Sequence, residues 1–155
     1  MNSYTRNYVL SGLAASPAIL HELLKDLTPA QDDARPDPER FTIREAVAHL
    51  ADWEPIWLGR VEKILAEDRP EIENLDEGEF AIRNRYDLAD VSERAGKFAV
   101  GRAALVAALR PLTAEQWERV GVREWGPLSL DGFAAMILGH DGFHFQQVID
   151  QKKTV

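Results

Sequence analysis

Cysteine is absent from the 155 residues. That excludes a disulfide framework, a thiolate nucleophile and any cysteine-ligated zinc or iron–sulfur centre. Thiol chemistry, if the protein performs any, must bring its thiol on a small molecule. Positive charge is also short: 18 Lys and Arg stand against 26 Asp and Glu, a formal net charge of -8. Neither nucleic acid nor an anionic membrane surface is expected as a partner, because phosphate binding needs a surplus of cations to displace counterions. The densest basic patch, Arg83 and Arg85, lies among acids. Long apolar runs are missing; the longest, around residues 133–138, falls far below the roughly 20 residues a membrane helix needs. The opening MNSYTRNYVL lacks the basic start and apolar core of a secretory signal, so a cytoplasmic location is the expectation. No G-x-S-x-G elbow occurs, which leaves serine-hydrolase chemistry without support.

What is present reads as one globular domain over residues 1–155, with 45% hydrophobic and 28% charged residues. Four helical stretches stand out and no alternating strand pattern of comparable length. The first, residues 4–27, carries Val9, Leu10, Leu13, Leu20, Leu23, Leu24 and Leu27, with Pro17 inside it. The polar run QDDARPDPER that follows reads as a loop. Thr42 with Glu45 three residues on is a capping box. It opens a second helix over 43–66, whose apolar face runs Ile43, Ala46, Val47, Leu50, Trp53, Trp57, Val61, Ile64 and Leu65. Pro55 is expected to bend it.

Residues 67–87 form a long acidic connection with a short helical piece around Phe80. A connection of this length permits a crossover in place of an up-down-up-down arrangement. The third helix is expected to start near Asp87, with Leu88, Val91, Ala95, Phe98, Arg102, Leu105 and Leu109 in one seam. Pro111 and Thr113 end it, and a turn holding Trp117 leads into an expected loop, GVREWGP. Ser129 caps the fourth helix, from 130 to about 151.

The chain has four histidines, His21, His49, His140 and His144. His140 and His144 form H-x3-H on the fourth helix, and residues four apart differ by only about 40° around a helix. Two imidazoles so placed can chelate a divalent metal. On the helical wheel His144 falls within the core stripe, His140 at its margin, and His49 beside the Trp53 edge of the second helix's apolar face. All three suit the lip of a cleft between helices, where bundles build metal sites. The residues alone favour a plainer reading, with His140 and His144 hydrogen-bonded at the core edge and His49 on the surface. Asp141, near the centre of the same core face, needs a partner: either a ligand histidine or, as the more direct pairing, Arg102. Trp53, Trp57, Phe133 and Phe143 are candidates to line a cleft, although aromatics at helical spacing are more often core.

Two segments resemble the DinB/YfiT superfamily: F-T-I-R-E-A-V-A-H-L-A-D-W-E (41–54) and G-P-L-S-L-D-G-F-A-A-M-I-L-G-H-D-G-F-H-F-Q-Q-V (126–148). A looser likeness joins S-P-A-I-L-H-E-L-L-K-D-L (16–27) and R-P-D-P-E-R-F. Phe41 stands where the family more often has tryptophan. The resemblance implies an all-α four-helix bundle with a long crossover between helices two and three, often a homodimer, and a divalent metal held by His49, His140 and His144. His21 matches no ligand of the family.

Three neutral imidazoles leave a coordination position open, as catalytic sites do. They suit zinc, nickel, iron or copper. The expected activity is metal-assisted transfer of a low-molecular-weight thiol to a small-molecule substrate, as in relatives sharing the fold. Metal-dependent hydrolysis is written from the same residues. A non-catalytic dimeric bundle with an empty or adventitious metal site is the alternative from another class.

Overall fold

The structure is a computed structural model that describes residues 1–153. Its helices are α1 (Ser3–Leu24), α2 (Pro29–Asp32), α3 (Ile43–Ala66), α4 (Glu77–Arg83), α5 (Val91–Leu109), α6 (Ala114–Trp117) and α7 (Leu130–Lys152). A hairpin of β1 (Val120–Arg123) and β2 (Gly126–Ser129) precedes α7. The bundle consists of α1, α3, α5 and α7. Around it the order is α1, α5, α3, α7: α5 packs on α1 and α3, and α7 packs on the same two from the other side. The long crossover from α3 to α5 carries α4 and a 3-10 turn at Tyr86–Leu88. Among the described residues no helix is long and apolar enough to cross a membrane.

Caps set the helix ends. Thr42 accepts from the Glu45 N–H while Glu45 reaches back to the Thr42 N–H, so the capping box starts α3 at Ile43. Ser129 accepts from the Gly132 N–H and starts α7. Three expectations are corrected. The run after α1 is not loop throughout, because Thr28 and Gln31 form a further capping box with Pro29 in the first helical turn and nucleate α2. The third helix begins at Val91, later than expected, because Asp90 caps it by accepting from the Glu93 N–H. Leu88 therefore lies in the 3-10 turn outside the seam and is 69% exposed. The expected loop GVREWGP is the hairpin, paired Val120 to Ser129 through Arg123 to Gly126. Gly121 is required in it: a Cβ there would stand 2.8 Å from Ile72 and 2.9 Å from Ile64.

Two hydrophobic clusters fill the bundle. One holds Leu13, Trp57, Leu105, Phe133 and Ile137, the other Leu20, Leu50, Phe98, Phe145 and Val148. Between them each bundle helix contributes one polar side chain: Ser16, Glu54, Arg102 and Asp141, each about 1% exposed. Arg102 forks onto Glu54 (3.0 and 2.6 Å) and onto both oxygens of Asp141. It also donates to the Leu13 carbonyl, while Ser16 Oγ donates to Asp141 at 2.6 Å. The Asp141–Arg102 pairing anticipated above is present; Glu54 is the member not anticipated. Burial disfavours the Arg102 charge, but Asp141 and Glu54 together more than offset it and hold its pKa above the ordinary value. Burial also raises Glu54, against the pull of Arg102. The close approach of α5 to α3 needs Gly101, where a Cβ would meet the Glu54 Cβ at 2.4 Å.

Two stability measurements follow. Arg102→Leu strands two buried carboxylates and is expected to cost about 3–5 kcal/mol in urea denaturation. At the start of α7, Arg6 forks onto Asp131 (2.7 and 2.9 Å) and, as the leading cause, holds that carboxyl below its ordinary 3.8. A depressed carboxylate stabilises fully above its unfolded-state pKa and loses that stabilisation as pH falls through its folded-state value. The melting-temperature gap between wild type and Asp131→Asn should therefore be full at neutral pH and close below about pH 3.8.

Candidate metal centre

His49 projects from α3 and His140 and His144 from α7, two helices that pack side by side. The three rings meet with centroids 5.0 Å (His49–His140), 4.7 Å (His49–His144) and 4.6 Å (His140–His144) apart. One ligand-capable nitrogen from each lies within 4.8 Å of the others, and among the described residues no fourth His, Asp or Glu joins the group. His49 is fully buried, His144 nearly so and His140 half-buried, so His49 sits at the floor of the site rather than at its lip.

Burial sets the charge state. It pushes His49 down to about 2, helped by His144 and His140, and His140 to about 3, helped by His144 and Arg102. It lowers His144 to about 4 against the opposing Gln147 bond and Asp141 charge. All three rings are neutral at neutral pH, the form that binds metal.

Gln147 selects a tautomer. Its Nε2 donates to the Phe41 carbonyl at 2.5 Å, an oxygen that can only accept, so its Oε1 faces His144 Nδ1 at 3.1 Å. The proton of His144 then sits on Nδ1, and Nε2 keeps a free lone pair. Gln151 also donates to the Phe41 carbonyl, at 2.6 Å. His49 and His140 bring their Nε2 atoms to 2.9 Å, while the Nδ1 of each is buried with no partner. If one Nε2 donates to the other, one ring has a protonated Nδ1 and the other a bare one, and neither is satisfied. Orphans of this kind cost on the order of 1–3 kcal/mol each. Three converging neutral imidazoles with their Nε2 atoms turned inward fit a divalent transition metal.

Aromatic rings wall the site. Trp53 lies 4.4 Å from His49, Phe41 5.4 Å from His49, and Trp57 meets His140 edge-on at 5.6 Å. Phe80 of α4 packs on Trp53, so the crossover closes the floor. Trp53, Trp57 and Phe133 are core, whereas Phe143 is 57% exposed and packs on His144. A cleft of about 310 Å³ opens beside His144, lined by Arg40, Phe41, Phe143 and Gln147 and by Glu77 of α4. A larger groove, about 750 Å³, runs between α1 and α5 past the exposed His21 and contains none of the three histidines. Asp52 pairs with Arg94, and Glu45 with Arg35, away from the triad.

Gln147 and Arg40 were not singled out in the sequence. Gln147 lies three residues after His144, on the same helix face, which is the signal that could have found it. Gln147→Leu should weaken zinc affinity about 10–100-fold, read by chelator competition, while Gln146→Ala, on the exposed side of α7, leaves it unchanged.

The sequence model of the DinB superfamily matches residues 13–148. Among solved structures, YfiT from Bacillus subtilis superposes with a TM-score of 0.93 at 22% identity, over 99% of this chain and 89% of that one. That protein is described as a probable metal-dependent hydrolase with an unusual four-helix bundle topology; at this identity the likeness shows a shared fold. No curated protein matches the chain.

Proposed function

The chain belongs to the DinB superfamily, and from that premise we propose that it is a divalent-metal-dependent enzyme acting on a small molecule. One observation carries this: three neutral imidazoles from two helices converge with no fourth protein ligand among the described residues. The chemistry a metal supplies when bound there is Lewis acidity, which lowers the pKa of a water or a small thiol towards neutrality.

The remaining work falls to the chain's own residues. Gln147 holds His144 in the tautomer with Nε2 free. Phe41, Trp53 and Trp57 keep water from the buried side of the triad. The cleft beside His144 and Phe143 admits a reactant from the other side. A nucleophile held between these walls is desolvated, which strengthens every electrostatic contact it makes.

Two reactions use such a site. In the first, a low-molecular-weight thiol is the nucleophile and a carbon electrophile the acceptor, which fits a chain that has no cysteine of its own. In the second, water is the nucleophile, and the description of YfiT as a probable metal-dependent hydrolase favours it.

Tag-free protein is expected to carry near-stoichiometric metal by mass spectrometry, lost in His140→Ala/His144→Ala. Added metal should raise stability by about 2.7 kcal/mol at a hundredfold excess over Kd. Turnover of 1-chloro-2,4-dinitrobenzene that needs an added thiol supports transfer, and thiol-independent cleavage of an activated ester supports hydrolysis. Trace metal in both proteins returns the chain to a non-catalytic bundle.

A further inference from the structure

Charged side chains around this end of the bundle are mostly taken up. Arg35 pairs with Glu45, Arg44 with Asp33, and Arg94 with Asp52. Arg40 is not among them. Its guanidinium lies over the Phe143 ring, 5.1 Å from the centroid, and among the described residues it makes no ion pair and no side-chain hydrogen bond. Only its backbone is engaged: the N–H donates to the Asp37 carbonyl at 3.2 Å, and the carbonyl accepts from Arg35 at 2.8 Å.

Its position makes this more than a solvated surface charge. Arg40 and Phe143 line the same cleft as His144, and the Phe143 ring meets His144 edge-on with centroids 5.2 Å apart. The guanidinium rests over the Phe143 ring without committing any of its five N–H groups, which leaves a fork suited to a carboxylate. Glu39 and Glu77 line the same opening. They limit how much negative charge the cleft accepts, favouring a single carboxylate over a polyphosphate.

We propose that the reactant carries a carboxylate and that Arg40 receives it at the mouth of the three-histidine site. This names the substrate class for the metal-enzyme reading and rests on it for the use of the site, though not for the binding itself. Arg40 is thus a specificity residue: it orients the molecule so that its other end reaches towards His144.

Phenylacetate and its neutral amide, phenylacetamide, are suitable probes, since both bring a ring for Phe143 and only one carries charge. Binding is followed by protein-observed NMR titration on wild type, Arg40→Gln and Arg40→Lys, each as purified and after chelator treatment. Circular dichroism and metal content are recorded for every sample. Wild type should bind phenylacetate about tenfold more tightly than the amide. Arg40→Gln should bind both alike, Arg40→Lys should keep part of the preference, and chelation should leave the preference in place. Failure of wild type to prefer phenylacetate overturns the assignment, and so does a preference that persists in Arg40→Gln. A preference lost on chelation but retained in Arg40→Gln assigns the carboxylate to the metal and overturns it too. Metal content tests the other reading separately: wild type without metal removes the metalloenzyme, while the titrations still decide Arg40.

Discussion

Burying a guanidinium between two carboxylates is costly unless every charge has a partner at hydrogen-bond distance. In this bundle the partners come from all four long helices. Arg102 on α5 holds Glu54 on α3, Asp141 on α7 and the Leu13 carbonyl on α1, with Ser16 closing the set. A hydrophobic interface tolerates a slide of one residue, about 1.5 Å along a helix, far better than a bidentate ion pair does. The polar layer between the two apolar clusters therefore sets the axial register of the helices. The histidines inherit that register. Glu54 follows His49 by five residues, and Asp141 lies between His140 and His144. Aligning Glu54 and Asp141 on one arginine aligns the three rings on one another.

The site works by exclusion on one side and access on the other. Its floor is tryptophan, phenylalanine and a histidine with no exposed surface. Its open side is a cleft with an exposed phenylalanine and an unpaired arginine. Low polarity beneath the rings keeps them neutral and ready to donate lone pairs, and the charge at the mouth faces arriving molecules. The α3–α5 crossover matters to this division because α4 brings Phe80 onto Trp53.

Much of this could be read from the residues. Helix caps announce the starts of helices because they are local and involve few residue types, and α3 and α7 begin where the Thr42 capping box and the Ser129 N-cap require. Histidines four apart on an apolar stripe must converge, and a carboxylate on such a stripe must have a partner, as Asp141 does in Arg102. Glu54 escaped notice although it lies four residues after Leu50 and three before Trp57, on the buried face. A single acid beside Pro55 looks like a surface residue until its cation is found. Strands of four residues have too few alternations for periodicity, so the hairpin was invisible. Spacing alone places Leu88 in the seam, because it does not reveal that Asp90 starts the helix after it. Gln147 leaves a local signal in its spacing from His144, but its second partner, the Phe41 carbonyl, is distant in sequence, and Arg40, which lacks a side-chain partner, leaves no local pattern.

A single carbonyl oxygen, that of Phe41, accepts from both Gln147 and Gln151. These two donors lie about one turn apart on α7, so the backbone just before α3 is stapled to the helix that carries His140 and His144. Arg40, the adjoining residue, is thereby tethered to the same rigid body as the histidines, although it lies in a connecting segment that would otherwise drift. The conformational entropy of fixing that wall is spent once, during folding, and not again at each encounter. On the proposed reading, a ligand would meet a preformed socket, with capture limited by diffusion and orientation and not by a loop that must first close.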